Sequence, residues 1–224
     1  MEGFVNAEVA DGICTVTFFH PASNSLPGTI LSKLAKTIHS AGLDLDTRVI
    51  VLKSSGERAF CAGASFDELL VLKNESEGLE FFSGFANVIN AIRTCPKFVI
   101  GRVQGKAVGG GVGLAAAVDH CFATKHASVK LSELAIGIGP FVVGPAIERK
   151  VGTSGFSQLS IDATSWKTAS WAAQYGLYAD VFENTEEMDG AVNRLATQLA
   201  SSSPEAMKEL KKVLWKDTDD WDDK

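Results

Sequence analysis

The chain has 224 residues, of which 46% are hydrophobic and 21% charged, and its formal net charge is −6. These values are ordinary for one globular domain, or for a large core with a small appendage. The negative charge argues against nucleic-acid binding, which needs clustered Lys and Arg. The longest weakly polar stretch, 107–118, is rich in glycine and far shorter than the roughly 20 residues that span a bilayer, so no membrane segment is expected.

The four cysteines, Cys14, Cys61, Cys95 and Cys121, show no CxxC spacing, and the N-terminus lacks the residue order of a signal peptide. Both features predict a reducing, cytoplasmic location. The four histidines have no spacing typical of a zinc or nucleophile site, so we expect them to be structural and expect no metal.

The N-terminal half predicts alternating strands and helices. "FVNAEV" and "ICTVTFF" indicate a hairpin, and Ile30, Leu31, Leu34, Ala35 and Ile38 then recur at helical spacing. "RVIVLKS" is typical of a buried parallel strand. A second helix follows, with a predicted apolar stripe, and then the strand "KFVIGRV". The stripe consists of Phe81, Phe85, Val88, Ile89 and Ile92.

The C-terminal half predicts mostly helix. Two short strands are expected in "HCFATKHASVKLSEL", and the chain beyond Pro140 is predicted to be helical except for "YADVF". The order indicates an α/β core with a helical C-terminal portion. The charged end, "KDTDDWDDK", predicts a solvated, frayed segment.

Two glycine-bearing stretches each lie where a strand leads through a loop into a helix. They are "ERAFCAGASFDEL" at 57–69 and "GKAVGGGVGLAAAVDH" at 105–120. A helix start presents unpaired backbone N–H groups that favour negative charge. If both stretches lie at the same end of a sheet, two N–H groups can converge on one oxygen and form an oxyanion hole. The alternative is a tight turn with close helix packing, and neither stretch matches a dinucleotide or phosphate-loop motif.

The paired stretches "AFCAGASFDEL" and "GKAVGGGVGLAAAVDH" resemble the signature of the crotonase superfamily, the enoyl-CoA hydratase/isomerases. The similarity continues through "SELAIGIGP" and "TSWKTASWAAQYGLYADVF". The order and spacing of these motifs fit from about residue 3 to about residue 215.

The resemblance implies a spiral of repeated ββα units. Residues 1–150 would form this α/β core with a site for a coenzyme A ester, and residues 151–224 a helical portion that supports trimerisation. The C-terminal portion is shorter than is typical of the family, which indicates a shortened lid or an incomplete chain. The resemblance also implies a homotrimer or homohexamer and an acyl-CoA thioester substrate, with no separate cofactor because the substrate carries coenzyme A.

Matching the motifs gives the expected binding residues. The N–H groups of Ala62 and Gly110 would hold the thioester oxygen, and Ala62, Gly63, Ala64 and Ser65 would line the bound pantetheine and adenine. Cys61 lies within the first motif and is expected to pack rather than react.

The acid/base prediction concerns two positions. Family hydratases use two glutamates, and here the first position is occupied by Gly113 while the second is Glu133. One carboxylate suffices to move a proton between carbons, so the resemblance favours a Δ3 to Δ2 enoyl-CoA isomerase. Hydration is the alternative, and a catalytically silent acyl-CoA binder or structural subunit is a second one. For Glu133 itself, the alternative is a benign acid at a helix start capped by Ser132.

Three other polar residues near these motifs are not expected to take part in proton transfer. Asp119 is expected to make a structural hydrogen bond, whereas Arg58 and Lys97 either approach the coenzyme A phosphates or face solvent.

Overall fold

The computed structural model describes residues 2–219 and 221, and within them the chain forms ten strands. In chain order these are β1 (Phe4–Ala10), β2 (Ile13–Phe19), β3 (Val49–Ser54), β4 (Ala59–Cys61), β5 (Val99–Val103), β6 (Lys106–Val108), β7 (His120–Thr124), β8 (Ser128–Lys130), β9 (Lys167–Thr168) and β10 (Asp180–Phe182).

Eight α-helices are described in the same residues. They are α1 (Gly28–Leu43), α2 (Phe66–Leu70), α3 (Glu75–Thr94), α4 (Gly110–Ala117), α5 (Gly144–Ile161), α6 (Ala169–Gln174), α7 (Thr185–Ala200) and α8 (Pro204–Leu214). A 3₁₀ turn occupies Leu134–Ile136, and α5 is kinked at Gly152. None of the described helices has the length and apolar character needed to cross a bilayer.

The strands form two sheets, and from β3 to β8 consecutive strands alternate between the two. The larger sheet has the order β1-β2-β3-β5-β7-β10, and the smaller has the order β4-β6-β8-β9. The hairpin β1–β2 is antiparallel, as the sequence predicts, and the remaining pairs of the larger sheet are parallel. Three times in succession, one strand joins the larger sheet, the next joins the smaller and a helix follows. This is the predicted repetition of ββα units.

The repetition places the loops after β4, β6 and β8 side by side. These three strands are parallel neighbours in the smaller sheet, so their carboxyl ends lie at one edge. Each strand has only three residues, too few to show an alternating apolar pattern, so the sequence predicts loops for the first two.

Each face of the larger sheet is covered by helices. One core lies between this sheet and α1, α3, α4 and α5, and it includes most of the predicted apolar stripes. A second, smaller core packs Met188 and Val192 of α7 and Met207 of α8 against Val51 and Phe122 of the sheet. In the α3 stripe, Phe85, Val88, Ile89 and Ile92 are buried, whereas Phe81 is only partly buried.

The C-terminal segment is anchored by a buried ion pair. Lys211 of α8 lies 2.9 Å from the Asp119 carboxylate, and both side chains are at most 5% exposed. Asp119 also accepts hydrogen bonds from the Val99 N–H and the Trp215 indole N–H, each at 2.8 Å. The predicted structural role of Asp119 is confirmed.

The charged end is solvated as predicted at Lys216, Asp217 and Asp219, but other described residues of it are packed, which corrects the expectation of a frayed segment. Thr218 is buried, and Asp219 pairs with the Arg93 guanidinium at 3.1 Å. Trp221 contacts Trp215 edge to face. Trp221, within this acidic stretch, thus has an apolar partner in Trp215, which precedes it closely in sequence. Residues 220 and 222–224 of the predicted frayed segment lie outside the described residues.

Candidate active site

The first glycine-bearing bend connects β4 to α2, and its backbone is fixed by the segment before α1. The Leu26 N–H donates to the Gly63 carbonyl at 2.8 Å, and the Ser65 N–H donates to the Leu26 carbonyl at 3.1 Å. This is a parallel bridge between Leu26 and Ala64, in which the Ala64 N–H points away from Leu26. Within the described residues that N–H makes no hydrogen bond.

The same bonding pattern corrects the prediction for Ala62. Its N–H donates to the Asn24 carbonyl at 3.1 Å and is therefore occupied, so it is not an oxyanion donor. The error arose because motif matching cannot show which amide in a bend is already paired. Ala62, Gly63 and Ala64 do line the cavity described below, whereas Ser65 caps α2 by accepting from the Glu68 N–H.

Asn24 is a residue that sequence reasoning missed. It is 3% exposed, and its side-chain amide donates to the carbonyls of Ser55 and Ala59 at 3.0 Å each. Its side-chain oxygen accepts the His20 N–H at 2.7 Å. Asn24 therefore holds three parts of the chain around β4. The turn-rich stretch "HPASNSLPG" signalled a loop but not this partner set.

The second bend connects β6 to α4 and answers why the chain has a run of glycines there. Gly109 has φ +52°, and a Cβ at this position would lie 2.8 Å from Oε1 of Glu133. A Cβ on Gly110 would lie 2.4 Å from the Phe85 ring, and one on Gly111 would lie 2.3 Å from the Cys61 carbonyl oxygen. Each glycine thus permits a close approach by another part of the chain that a side chain would block, which is the close packing given above as the alternative.

The two bends meet. Gly110 is the first residue of α4, so its N–H has no partner within the helix, and it makes no other hydrogen bond in the described residues. A Cβ built on Gly63 would lie 3.8 Å from the Gly110 nitrogen and 3.2 Å from the Val108 carbonyl oxygen. The unpaired N–H groups of Ala64 and Gly110 therefore belong to adjoining pieces of backbone at a helix N-terminus.

A cavity of about 260 Å³ opens at this meeting point. Its wall is mostly apolar, and of all the lining residues, each within the described part of the chain, Glu133 alone has an ionisable side chain. Besides Glu133 and the backbone of the two bends, the lining includes Ser25, Phe66, Leu69, Phe81, Phe82, Phe85, Val108, Ser132, Ile136, Ile138, Gly139, Pro140, Val142 and Val143.

Glu133 follows β8 and directs its carboxylate into this cavity. Oε1 lies 2.8 Å from where a Cβ on Gly109 would be, and Oε2 is buried with no hydrogen-bond partner in the described residues. Burial raises the pKa of Glu133 above its ordinary value, and hydrogen bonds from the Glu133 and Ser132 N–H groups only partly oppose this. An incompletely satisfied, partly desolvated carboxylate is suited to exchanging a proton with a bound ligand.

The cap by Ser132 in the benign alternative for Glu133 is not found among the described residues. Glu133 itself precedes the 3₁₀ turn and is in helical backbone conformation, and no side chain caps that turn. Ser132 therefore does not cap a helix, and the Glu133 carboxylate is not a solvated first-turn acid.

Position 113 is filled by apolar neighbours, not by an acid. A Cβ on Gly113 would lie 2.6 Å from a methyl of Val143 and 3.3 Å from Ile89. Val143 lines the cavity and separates Gly113 from it. The site therefore contains one carboxylate at the positions that the sequence marked.

Other candidate residues lie outside the cavity. Lys97 donates to the carbonyls of Ala41 and Asp44 at the end of α1, so it does not bind phosphate as one interpretation allowed. The Cys61 thiol is buried, which raises its pKa to about 12 and makes it unreactive, as expected. Arg58 is exposed. The described residues contain no group of three or more potential metal ligands.

Comparisons with known proteins show the family of this chain. The sequence profile described as enoyl-CoA hydratase/isomerase matches residues 8–223. The short-chain-enoyl-CoA hydratase of Clostridium acetobutylicum is 30% identical over 204 residues, which cover 90% of this chain and 77% of the relative. The carnitinyl-CoA dehydratase of Proteus mirabilis is 31% identical over 195 residues, covering 80% and 70%.

A solved structure shows the same fold. The enoyl-CoA hydratase of Mycobacterium smegmatis superposes with a TM-score of 0.89 at 25% identity, and the match covers 96% of this chain and 83% of the other. The predicted crotonase-like α/β fold is thereby confirmed. The chain belongs to the enoyl-CoA hydratase/isomerase family.

Proposed function

We propose that this family member shifts a carbon–carbon double bond in an enoyl-CoA thioester, from the Δ3 to the Δ2 position. The observation that carries the proposal is the single carboxylate, Glu133, in a mostly apolar cavity next to two unpaired backbone N–H groups. We assign those N–H groups to Gly110, as the sequence predicted, and to Ala64 in place of Ala62.

The reaction needs one proton carrier and one anion site. The Glu133 carboxylate removes a proton from C2 of the substrate, and the electron pair enters the thioester carbonyl to give an enolate. The N–H groups of Ala64 and Gly110 stabilise the oxygen that gains charge, and loss of one such donor typically costs about 3 to 4 kcal/mol of barrier. Glu133 then returns the proton to C4 as the double bond moves to C2–C3. Substrate and product have the same atoms, and Glu133 ends as it began.

The environment of Glu133 fits this cycle. Burial raises the pKa of the Glu133 carboxylate, so this group holds a proton longer between the two transfers than a solvated carboxylate would. The apolar wall also keeps bulk water from the enolate, which strengthens the two backbone interactions.

Hydration of a Δ2 enoyl-CoA is the second candidate, and the names of the relatives favour it, since both relatives described above are a hydratase or a dehydratase. Gly113 argues against hydration, because no second carboxylate is present at that position to activate water. Glu133 would have to position the water and return its proton alone.

One experiment separates these reactions. The purified protein is incubated with a 3-enoyl-CoA and, separately, with a 2-enoyl-CoA, using wild type and Glu133→Gln. Formation of 2-enoyl-CoA that disappears in the variant supports isomerisation, and formation of 3-hydroxyacyl-CoA supports hydration. Binding without turnover of either substrate would contradict both and indicate the silent binder.

The remaining parts of the proposal concern assembly and location. We include a homotrimer or homohexamer in the proposal, from the family resemblance, and a cytoplasmic location, from the spacing of the four cysteines. Sedimentation velocity tests the assembly, and a monomer at micromolar concentration would contradict it.

A further inference from the structure

An exposed apolar patch borders the mouth of the cavity. We define the mouth patch as Phe66, Leu70, Ile136 and Phe141, whose exposed fractions are 56%, 67%, 51% and 79%. Phe66 and Ile136 line the cavity and face solvent at the same time. Single exposed apolar residues are ordinary, but several that line or adjoin one cavity indicate a binding surface.

The patch is continuous with the cavity on two sides. Leu70 is one helical turn after Phe66 on α2, so both side chains lie on one face of that helix. In the segment after the 3₁₀ turn, the Phe141 ring lies against Gly139, where a Cβ would be only 2.4 Å from the ring, and Gly139 lines the cavity. An apolar path therefore leads from the wall around Glu133 to the outer surface.

The size and polarity of the cavity indicate what occupies this path. At about 260 Å³ the cavity lies below the roughly 300 to 1,000 Å³ typical of sites that enclose a whole small-molecule ligand. It can enclose the thioester group and the first few acyl carbons. A longer acyl chain must leave through the mouth, and the patch offers its carbons contact without any charged side chain among its four residues.

From these observations we infer that the substrates are thioesters of medium- to long-chain, apolar acyl groups, whose distal carbons lie across the mouth patch. This inference rests on the proposed function for the position of the thioester. Phe141 is the patch residue that tests the inference best, because its ring lies against Gly139 of the cavity wall and is 79% exposed, whereas Phe141 itself does not line the cavity.

Burial of one methylene contributes about 0.8 kcal/mol, which is about a fourfold change in affinity per carbon for full burial and less for a carbon lying on an open surface. The wild type is therefore expected to prefer a twelve-carbon over a six-carbon chain by at least about tenfold in kcat/KM. Phe141→Ser is expected to reduce that preference by about tenfold.

The test measures kcat/KM for 3-hexenoyl-CoA and 3-dodecenoyl-CoA with wild type, Phe141→Ser and Leu45→Ser. Leu45 is the matched control, because it is 94% exposed but lies after α1 and does not line the cavity. The inference predicts a fall in the ratio of the two substrates for Phe141→Ser and no change for Leu45→Ser. Equal ratios in all three proteins, or a wild-type preference for the shorter chain, would overturn it.

Binding of saturated acyl-CoA keeps this test separate from the proposed reaction. Hexanoyl-CoA and dodecanoyl-CoA contain no double bond, so calorimetric titration reports chain-length preference even if neither enoyl substrate turns over. A patch that instead forms a subunit contact would show in sedimentation, because Phe141→Ser would change the assembly while leaving the two affinities in the wild-type ratio. That outcome would also overturn the inference.

Discussion

Substitution of Gly109 tests the link between the glycine run and the acid/base group. In Gly109→Ala the new Cβ would lie 2.8 Å from Oε1 of Glu133, where an ordinary contact is at least about 3.4 Å, so the carboxylate must retreat by about 0.6 Å. The backbone at φ +52° and ψ −115° is also unfavourable for an L-residue, by about 1 to 3 kcal/mol.

These two effects have different consequences. Strain lowers the free energy of unfolding, whereas displacement of Glu133 lowers the rate of proton transfer. A misplacement of about 1 Å can reduce a rate by about a hundredfold, so we expect kcat to fall by roughly ten- to a hundredfold with a smaller change in KM.

The matched control is Gly56→Ala. Gly56 has φ +92°, so alanine is strained there too, but a Cβ would have no atom within 4 Å and the position is outside the cavity. Urea denaturation measures stability, and the isomerase assay measures kcat for both variants. If Gly109→Ala retains wild-type kcat while both variants lose similar stability, the position of Glu133 does not matter for the reaction and the reasoning fails.

Three further predictions concern the carboxylate, the filled space at position 113 and the anchored C-terminal segment. Glu133→Gln should lower kcat by a factor of roughly 10² to 10⁴. In the wild type, kcat/KM should rise with pH through a Glu133 pKa above the ordinary 4.5, because the base must be deprotonated. A flat pH profile would contradict this. Folding favours the protonated form of Glu133, so its contribution to stability is lost as pH rises through the folded-state pKa, and Glu133→Gln should not lower the unfolding free energy at neutral pH. Gly113→Ala should destabilise the fold by about 1 kcal/mol, because overpacking against Val143 exceeds the gain in helix propensity. Adding Val143→Ala should recover part of the lost stability. Purely additive losses in the double variant would refute the contact between these two positions. Lys211→Ala leaves the buried Asp119 carboxylate without its cation and should lower the unfolding free energy by about 3 to 5 kcal/mol, whereas a loss under 1 kcal/mol in urea denaturation would show that the pair is not needed.

The sequence by itself determined the order of the elements and the location of the site. The period of apolar residues predicted β1, β2, β3, β5, α1 and α3, since these elements are long enough to show it. The two glycine-marked bends were also evident from their runs of small residues, whereas Glu133 was identified only through the resemblance to the crotonase superfamily. That information is local, and a chain carries it in consecutive residues.

Only the tertiary structure decided which backbone groups remain unpaired. Asn24 and Leu26 precede the first bend by almost forty residues, yet they take the N–H groups of Ala62 and Ser65 and leave that of Ala64 without a partner. In the same way, Val143 at the start of α5 fills the space above Gly113, and Phe85 of α3 lies against Gly110. Hydrogen-bond pairing and close packing are settled between segments distant in sequence, so no single motif contains them.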